Sequence, residues 1–244
     1  MGVYNKRVTP SILSDIYEEI GNVFGGREIC VIIGGWGVRM YSKTRGNKLT
    51  GNIDNDADLL IELKEISKES ILKNLEGSKF SLYDREMFNL EDGFCKLLYT
   101  PTKATVDVYF YIDGDDSGNE LLSGIPKEYI VKNAVEMDMK NGKKAYVADP
   151  ASLIYMKYYS CMGSPSRIQD MEDISNLIFN FYRSFENFEH QSYETLHKYL
   201  KIIYGWMGKD YIEEQYKIIL KSIELIYDQQ INEQQKELGK SKRP

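Results

Sequence analysis

Residues 29–33 read ICVII, an unbroken apolar run rich in β-branched side chains, with Gly25-Gly26 before it and Gly34-Gly35 directly after it. A run this short and this apolar suits a strand covered on both faces rather than a helix. Such a strand requires elements layered on either side of a sheet, and the glycines beyond its end let the backbone turn tightly into the next element.

The flanking pattern supplies those layers. Thr9-Pro10 has the form of an N-cap followed by a first helical residue, and Ile12, Ile16, Ile20 and Phe24 then recur every four residues, so a helix precedes the strand. Val38 and Met40 begin a short helix after it, and residues 42–52 form a polar loop carrying Lys43, Arg45 and Lys48. Strand patterns occupy residues 57–63, 80–82, 94–99 and 105–112, and a helix over 67–75 is closed by Gly77. Val135, Met137 and Met139 alternate before Asn141-Gly142, with Ala145 and Val147 beyond, which reads as a hairpin. From Asp149-Pro150 onward the pattern is helical. One helix starts there, another spans 168–182 with Ile168, Met171, Ile174, Ile178 and Phe181 on one stripe, and two more span 193–204 and 211–227 before a frayed polar tail. The expected organisation is therefore two domains, residues 1–148 with mixed strands and helices and residues 149–244 all helical.

Composition narrows the classes of function. A chain of 244 residues with 42% hydrophobic and 28% charged residues can bury a substantial core and is not disordered. A net charge of -6 gives no bulk attraction for nucleic acid, which leaves that role to local basic patches. Cys30, Cys95 and Cys161 lie far apart in apolar contexts and support neither a disulfide framework nor a zinc knuckle. With no apolar signal core in MGVYNK and no membrane-length apolar run, the expectation is a cytoplasmic protein with no membrane partner. His190 and His197 stand apart from any carboxylate or cysteine cluster and read as helix-face residues rather than ligands.

The chemistry concentrates in the aspartates. Asp56 and Asp58, one residue apart at the start of a strand, place both carboxylates on one face, where a hard divalent cation would neutralise them. In isolation NIDNDAD is as readily a solvated turn. Asp107 shifts that balance: it interrupts the apolar and aromatic strand VDVYFYI, and an ionisable group there needs a partner or an ion to offset desolvation. If the strands are neighbours, Asp56, Asp58 and Asp107 can form a two-cation cluster of the kind that clamps a phosphoryl transfer. Gly34 and Gly35, between strand and helix, let backbone amides approach phosphate oxygens.

This order of elements resembles the nucleotidyltransferase superfamily with the DNA-polymerase-beta-like core. DPASLIYMKYYS followed by RIQDMEDISNL resembles the helical segment of its toxin-like members of the abortive-infection kind. The resemblance implies an α+β fold, a mixed-sheet nucleotidyltransferase core followed by a C-terminal helical bundle. It implies that Gly34 and Gly35 hold a nucleoside triphosphate, that Asp56, Asp58 and Asp107 bind two Mg2+ ions, with Mn2+ as an alternative, and that Asp107 accepts the proton of the acceptor hydroxyl. Lys157 would contact phosphate and Asp173, or else Asp170, would complete the nucleotide site. The implied reaction moves a nucleoside monophosphate to an acceptor, RNA or tRNA for the toxin-like branch and a small aminoglycoside or lincosamide for another; an antitoxin protein is the implied partner. A non-catalytic toxin-antitoxin protein with the same fold is the alternative of a different class.

Two features depart from the family pattern: Trp36 follows Gly35 where a serine after the first glycine is usual, and a long basic insert precedes the aspartates. Asp54 alternates with Asp56 and Asp58, so the metal pair within this run is open; the continuation of the strand through Leu59 favours Asp56 and Asp58. A dinucleotide site would use Gly35 and Gly37 but meets Met40 where its third glycine belongs, and no Gly-Lys-Ser/Thr follows to make a Walker loop. The residues Lys43, Arg45, Lys48, Lys143 and Lys144 are the candidates for contacting acceptor phosphates.

Overall fold

Helix α1 (Pro10–Val23) starts where local chemistry tells it to, with the Thr9 hydroxyl accepting from the Ile12 amide at 3.3 Å and Pro10 at the first helical position. Its stripe Leu13, Ile16, Ile20 and Val23 is wholly buried. Burying each such side chain is worth about 1.5–3 kcal/mol, so packing against the sheet, more than helix propensity, holds α1 in place. The computed structural model describes residues 8–24, 30–42, 56–63, 66–84, 88, 90, 93–112, 121–139, 142–163, 170, 173, 174 and 177. The chain divides into two units, Met1–Leu177 and Ile178–Pro244, and all described residues belong to the first.

The elements that follow are β1 (Cys30–Ile32), α2 (Gly34–Ser42), β2 (Asp56–Leu63), α3 (Lys68–Glu76), β3 (Phe80–Leu82), β4 (Phe94–Tyr99), β5 (Ala104–Ile112), β6 (Leu121–Leu122), β7 (Ile125–Pro126), α4 (Lys127–Lys132), β8 (Val135–Asp138), β9 (Lys144–Val147) and α5 (Pro150–Gly163). Seven strands make one mixed sheet in the order β3-β4-β5-β2-β1-β9-β8. Within it β2 runs parallel to β5 and β1 parallel to β9, while the other neighbouring strands are antiparallel. The described part is thus a mixed α+β fold built on a mixed sheet.

Alternation decides the two faces. Ala57, Leu59, Ile61 and Leu63 of β2, Val106, Val108 and Phe110 of β5, and Cys95 and Leu97 of β4 form one core with α1 and with Ile71 and Leu75 of α3. Phe24, just past α1, closes that core by tilting its ring onto Phe110 with centroids 5.3 Å apart. On the opposite face Val31 and Leu60 are equally buried, but Asp56, Asp58, Lys96, Asp107 and Tyr109 are only partly so. The site is on this second face.

Three local features differ from the sequence pattern or were invisible in it. Helix α2 begins at Gly34 rather than near Val38, because the Gly37 amide donates to the Ile33 carbonyl at 3.0 Å and closes the first turn straight off the strand. Apolar periodicity could not register a turn made largely of glycine. The β6–β7 hairpin is too short for a pattern and is defined by Ser123 and Gly124 at φ 50° and 80°, a pair of left-handed residues that matches strand twist in a two-residue turn. Helix α4, six residues long, follows it directly. The expected β8–β9 hairpin is present, with Gly142 at φ 73° in its turn. Helices expected over 193–204 and 211–227, the tail, and most of 168–182 lie outside the described residues, although positions 170, 173, 174 and 177 are helical.

Candidate functional site

The parallel pairing of β2 and β5 sets Asp58 directly opposite Asp107, and Asp56 opposite Thr105. Neighbouring strands lie about 4.8 Å apart, so two carboxylates from distant parts of the chain share one face at close range, with Asp56 diagonal to Asp107. The end of β1 meets the same place, since the Ile33 amide donates to the Asp58 carbonyl at 3.0 Å. Gly34 follows with φ +59°, and a Cβ built there would lie 2.1 Å from Asp58 Oδ2 and 2.8 Å from its Cγ. The Asp58 carboxylate therefore rests in space that only glycine leaves open. The amides of the first turn of α2, which have no partner within the helix, begin at this point.

Asp107 sits partly buried on this face. Burial pushes its pKa up from the ordinary carboxylate value, the ammonium of Lys96 opposes that, and the nearby negative charge of Asp56 adds to it. Lys96 stands opposite Asp107 in the β4–β5 register, with Nζ 3.1 Å from Oδ1. The pair is close enough for strong Coulomb attraction but lacks the angle of a hydrogen bond, and Asp107 Oδ1 is a buried oxygen that accepts none. Tyr109, the next residue on the same face, has its phenol pushed up by burial and then by the charges of Asp58, Asp107 and Asp56. Its ring tilts against Phe94 at 5.0 Å.

A second ionic group belongs to the helical side. Lys157 Nζ lies 2.9 Å from Asp170 Oδ1 and 2.7 Å from Asp173 Oδ2, and none of the three side chains is more than 15% exposed. Burial pulls the Lys157 ammonium down, but the charges and hydrogen bonds of Asp173 and Asp170 outweigh it and hold the group above the ordinary lysine value. Leu153, one turn before Lys157, packs on Gly37: a Cβ at Gly37 would lie 2.7 Å from Leu153 Cδ2. Asp149 fixes the start of α5, its carboxylate accepting from the Ala151 and Ser152 amides at 3.0 and 3.2 Å. Helix α5 is thereby pressed against α2, the helix that begins beside Asp58.

The candidates read from the sequence thus fall into two groups joined by the α2–α5 contact. Gly34, Gly35, Asp56, Asp58 and Asp107 gather where β1, β2, β5 and α2 meet; Lys157 joins both Asp170 and Asp173 rather than one of them. Asp54, Lys43, Arg45 and Lys48 lie outside the described residues. Lys143 and Lys144 are at the other end of β1 and β9 from Gly34, engaged by Glu18 and Glu136. Lys96 escaped the sequence reading, whereas alternation along VDVYFYI already puts Tyr109 on the face of Asp107 without giving it a role. Alternation does place Lys96 on one face of FCKLLY, yet only the strand register reveals that this face meets Asp107.

Among the described residues, no three His, Cys, Asp or Glu side chains close around a single point suited to a metal ion. The donor chemistry nevertheless fits a hard divalent cation: carboxylate oxygens on one face, one of them buried without a hydrogen bond, beside glycine backbone at a helix start. Also among the described residues, no helix is long and apolar enough to cross a membrane.

No protein-family model matches the chain, and no curated protein matches it significantly. Among solved structures, the chain is similar to an antigenic nucleotidyltransferase-like protein from Paracoccidioides brasiliensis, at 14% identity and a TM-score of 0.41, over 82% of this chain and 93% of that one.

Proposed function

We propose that this chain is a Mg2+-dependent nucleotidyltransferase that takes a nucleoside triphosphate and transfers the nucleoside monophosphate to an acceptor hydroxyl. The observation that supports this reading above others is the register that sets Asp58 opposite Asp107, with the Gly34 backbone against the Asp58 carboxylate. A dinucleotide site offers no role for that carboxylate pair. Asp56, Asp58 and Asp107 would hold Mg2+, or Mn2+ in its place, and the bound ions would supply neutralisation of the triphosphate charge and activation of the hydroxyl.

The residues of the chain divide the remaining work. The first amides of α2, at Gly34 and Gly35, face the triphosphate. Asp107 takes the acceptor proton as the new oxygen–phosphorus bond forms at the α-phosphorus and the bond to the β-phosphate bridging oxygen breaks, releasing pyrophosphate. Lys157, held between Asp170 and Asp173, brings the ammonium to the nucleotide side as a fixed group rather than a freely moving one. The acceptor we assign is RNA, on the basic sequence Lys43, Arg45 and Lys48 that leads into β2. The toxin-like resemblance adds a cognate antitoxin as protein partner and the cytoplasm as the place of action.

Incubation with α-labelled triphosphates, Mg2+ and total RNA tests this reading. Label on RNA is the expected result, and label on a small cationic acceptor instead would replace RNA while keeping the transfer. No transfer, together with Mn2+ affinity unchanged in Asp56→Asn plus Asp58→Asn, refutes it.

A further inference from the structure

We propose that Lys96 is the resident counter-ion of the carboxylate face, occupying Asp107 in the metal-free protein and giving way to a divalent cation. This rests on the reading of Asp56, Asp58 and Asp107 as cation ligands. Three observations carry it. First, the position is built into the sheet: β4 and β5 pair so that Lys96 is the residue opposite Asp107, just as Asp58 is on the other side. Asp107 is thus flanked by a cation on one neighbouring strand and a carboxylate on the other. Two carboxylates that close repel, and the facing lysine offsets the repulsion without any bound ion.

Second, the contact has the character of a holding interaction. Nζ is 3.1 Å from Oδ1, but that buried oxygen accepts no hydrogen bond. A pair without well-formed hydrogen-bond geometry is held mainly by its charges, and a divalent cation brings the larger charge. Third, the two partners differ in freedom. The Lys96 side chain is 39% exposed and Asp107 only 15%. The lysine can swing its ammonium into water on its long stem, while the carboxylate stays with the sheet.

The consequence is a competition. Lys96 offsets one of the negative charges at rest, and weakens cation binding by the work of displacing it. Alternation gives Lys96 no role in the main core, whose β4 members Cys95 and Leu97 point the other way, so removing its charge tests the site rather than the fold.

The test is Mn2+ binding, by titration calorimetry and by electron paramagnetic resonance of free Mn2+, in wild type, Lys96→Met and Lys96→Arg at one ionic strength. Lys96→Met is expected to bind Mn2+ on the order of tenfold more tightly, the effect of removing one unit charge a few ångströms from the cation in a half-solvated site. Lys96→Arg, which keeps the charge, is expected to stay within about threefold of wild type on the same Coulombic ground. Mn2+ should also raise the melting temperature of Lys96→Met more than that of wild type. Binding that is lost in Asp56→Asn plus Asp58→Asn but equal or weaker in Lys96→Met overturns the role of Lys96 and leaves the cation site standing. Failure of both wild type and Lys96→Met to bind Mn2+ overturns both.

Discussion

Replacing Gly34 by alanine probes the tightest contact of the site. Two costs follow. The residue sits at φ +59°, where a side chain costs roughly 1–2 kcal/mol. The new Cβ would also stand 2.1 Å from Asp58 Oδ2, so the carboxylate has to withdraw by at least 0.9 Å to reach 3.0 Å, the closest distance real Cβ atoms tolerate (3.0 − 2.1 = 0.9). The backbone cost alone lowers the melting temperature by about 2–8 °C for a folded unit of this size. The displacement acts on function: a shift near 1 Å in a positioned catalytic group costs on the order of 100-fold in rate. Calorimetric melting, Mn2+ titration and the transfer assay read these separately. The Asp58→Ala background isolates the clash, because of the three nearest contacts it removes those to Oδ2 and Cγ and leaves the one to Cβ at 3.0 Å. There Gly34→Ala should cost the backbone strain and little more, so the two substitutions are strongly non-additive. Gly34→Ala that melts within 1 °C (about 0.3 kcal/mol) of wild type and keeps its Mn2+ affinity refutes the close approach of α2 to Asp58.

Two further outcomes test the surroundings. Lys157→Met leaves Asp170 and Asp173 without the ammonium between them and should destabilise by about 3–5 kcal/mol in urea unfolding; because Asp173 and Asp170 hold the lysine above its ordinary value, this contribution persists through neutral pH and is lost only as pH rises through that raised value. A loss below about 1 kcal/mol would make the pair an ordinary surface contact. Lys127 is buried with its Nζ donating to the Phe110 carbonyl at 2.8 Å, and burial lowers its pKa, so between the lowered value and 10.5 the unfolded chain binds more protons and stability rises with pH. Lys127→Met should therefore melt at or above wild type at neutral pH, with the gap narrowing as pH approaches 10.5; a variant less stable by more than about 1 kcal/mol would show that the charged hydrogen bond outweighs the desolvation.

What could be read from the sequence, and what could not, follows from the range of each physical signal. Strands β2, β3, β4 and β5 and helix α3 appear within a residue or so of their expected bounds, because alternation and capping are local and survive in one dimension. The β8–β9 hairpin follows from its turn residues for the same reason. Helix α2 started early because glycine carries no periodicity, and the β6–β7 hairpin and α4 are shorter than any pattern window. For the site, residue type was enough to single out Asp107: a carboxylate in VDVYFYI is costly unless something compensates it.

What compensates it was not local. The register of three strands brings Asp58 to one side of Asp107 and Lys96 to the other, and no spacing along the chain encodes that register. A lysine at a half-exposed strand position is by itself unremarkable, since its stem covers apolar surface and its head reaches water. It acquires meaning only from the residue across from it. The same logic applies to Gly34, where the tight turn was expected and the carboxylate pressed against it was not. In this fold the residue types announce which groups need a partner, and the sheet order decides which partner each one meets. That order puts Lys96 across from Asp107, so the chain itself offsets one of the negative charges on the carboxylate face, and under the proposed role a cation that binds there must displace the lysine.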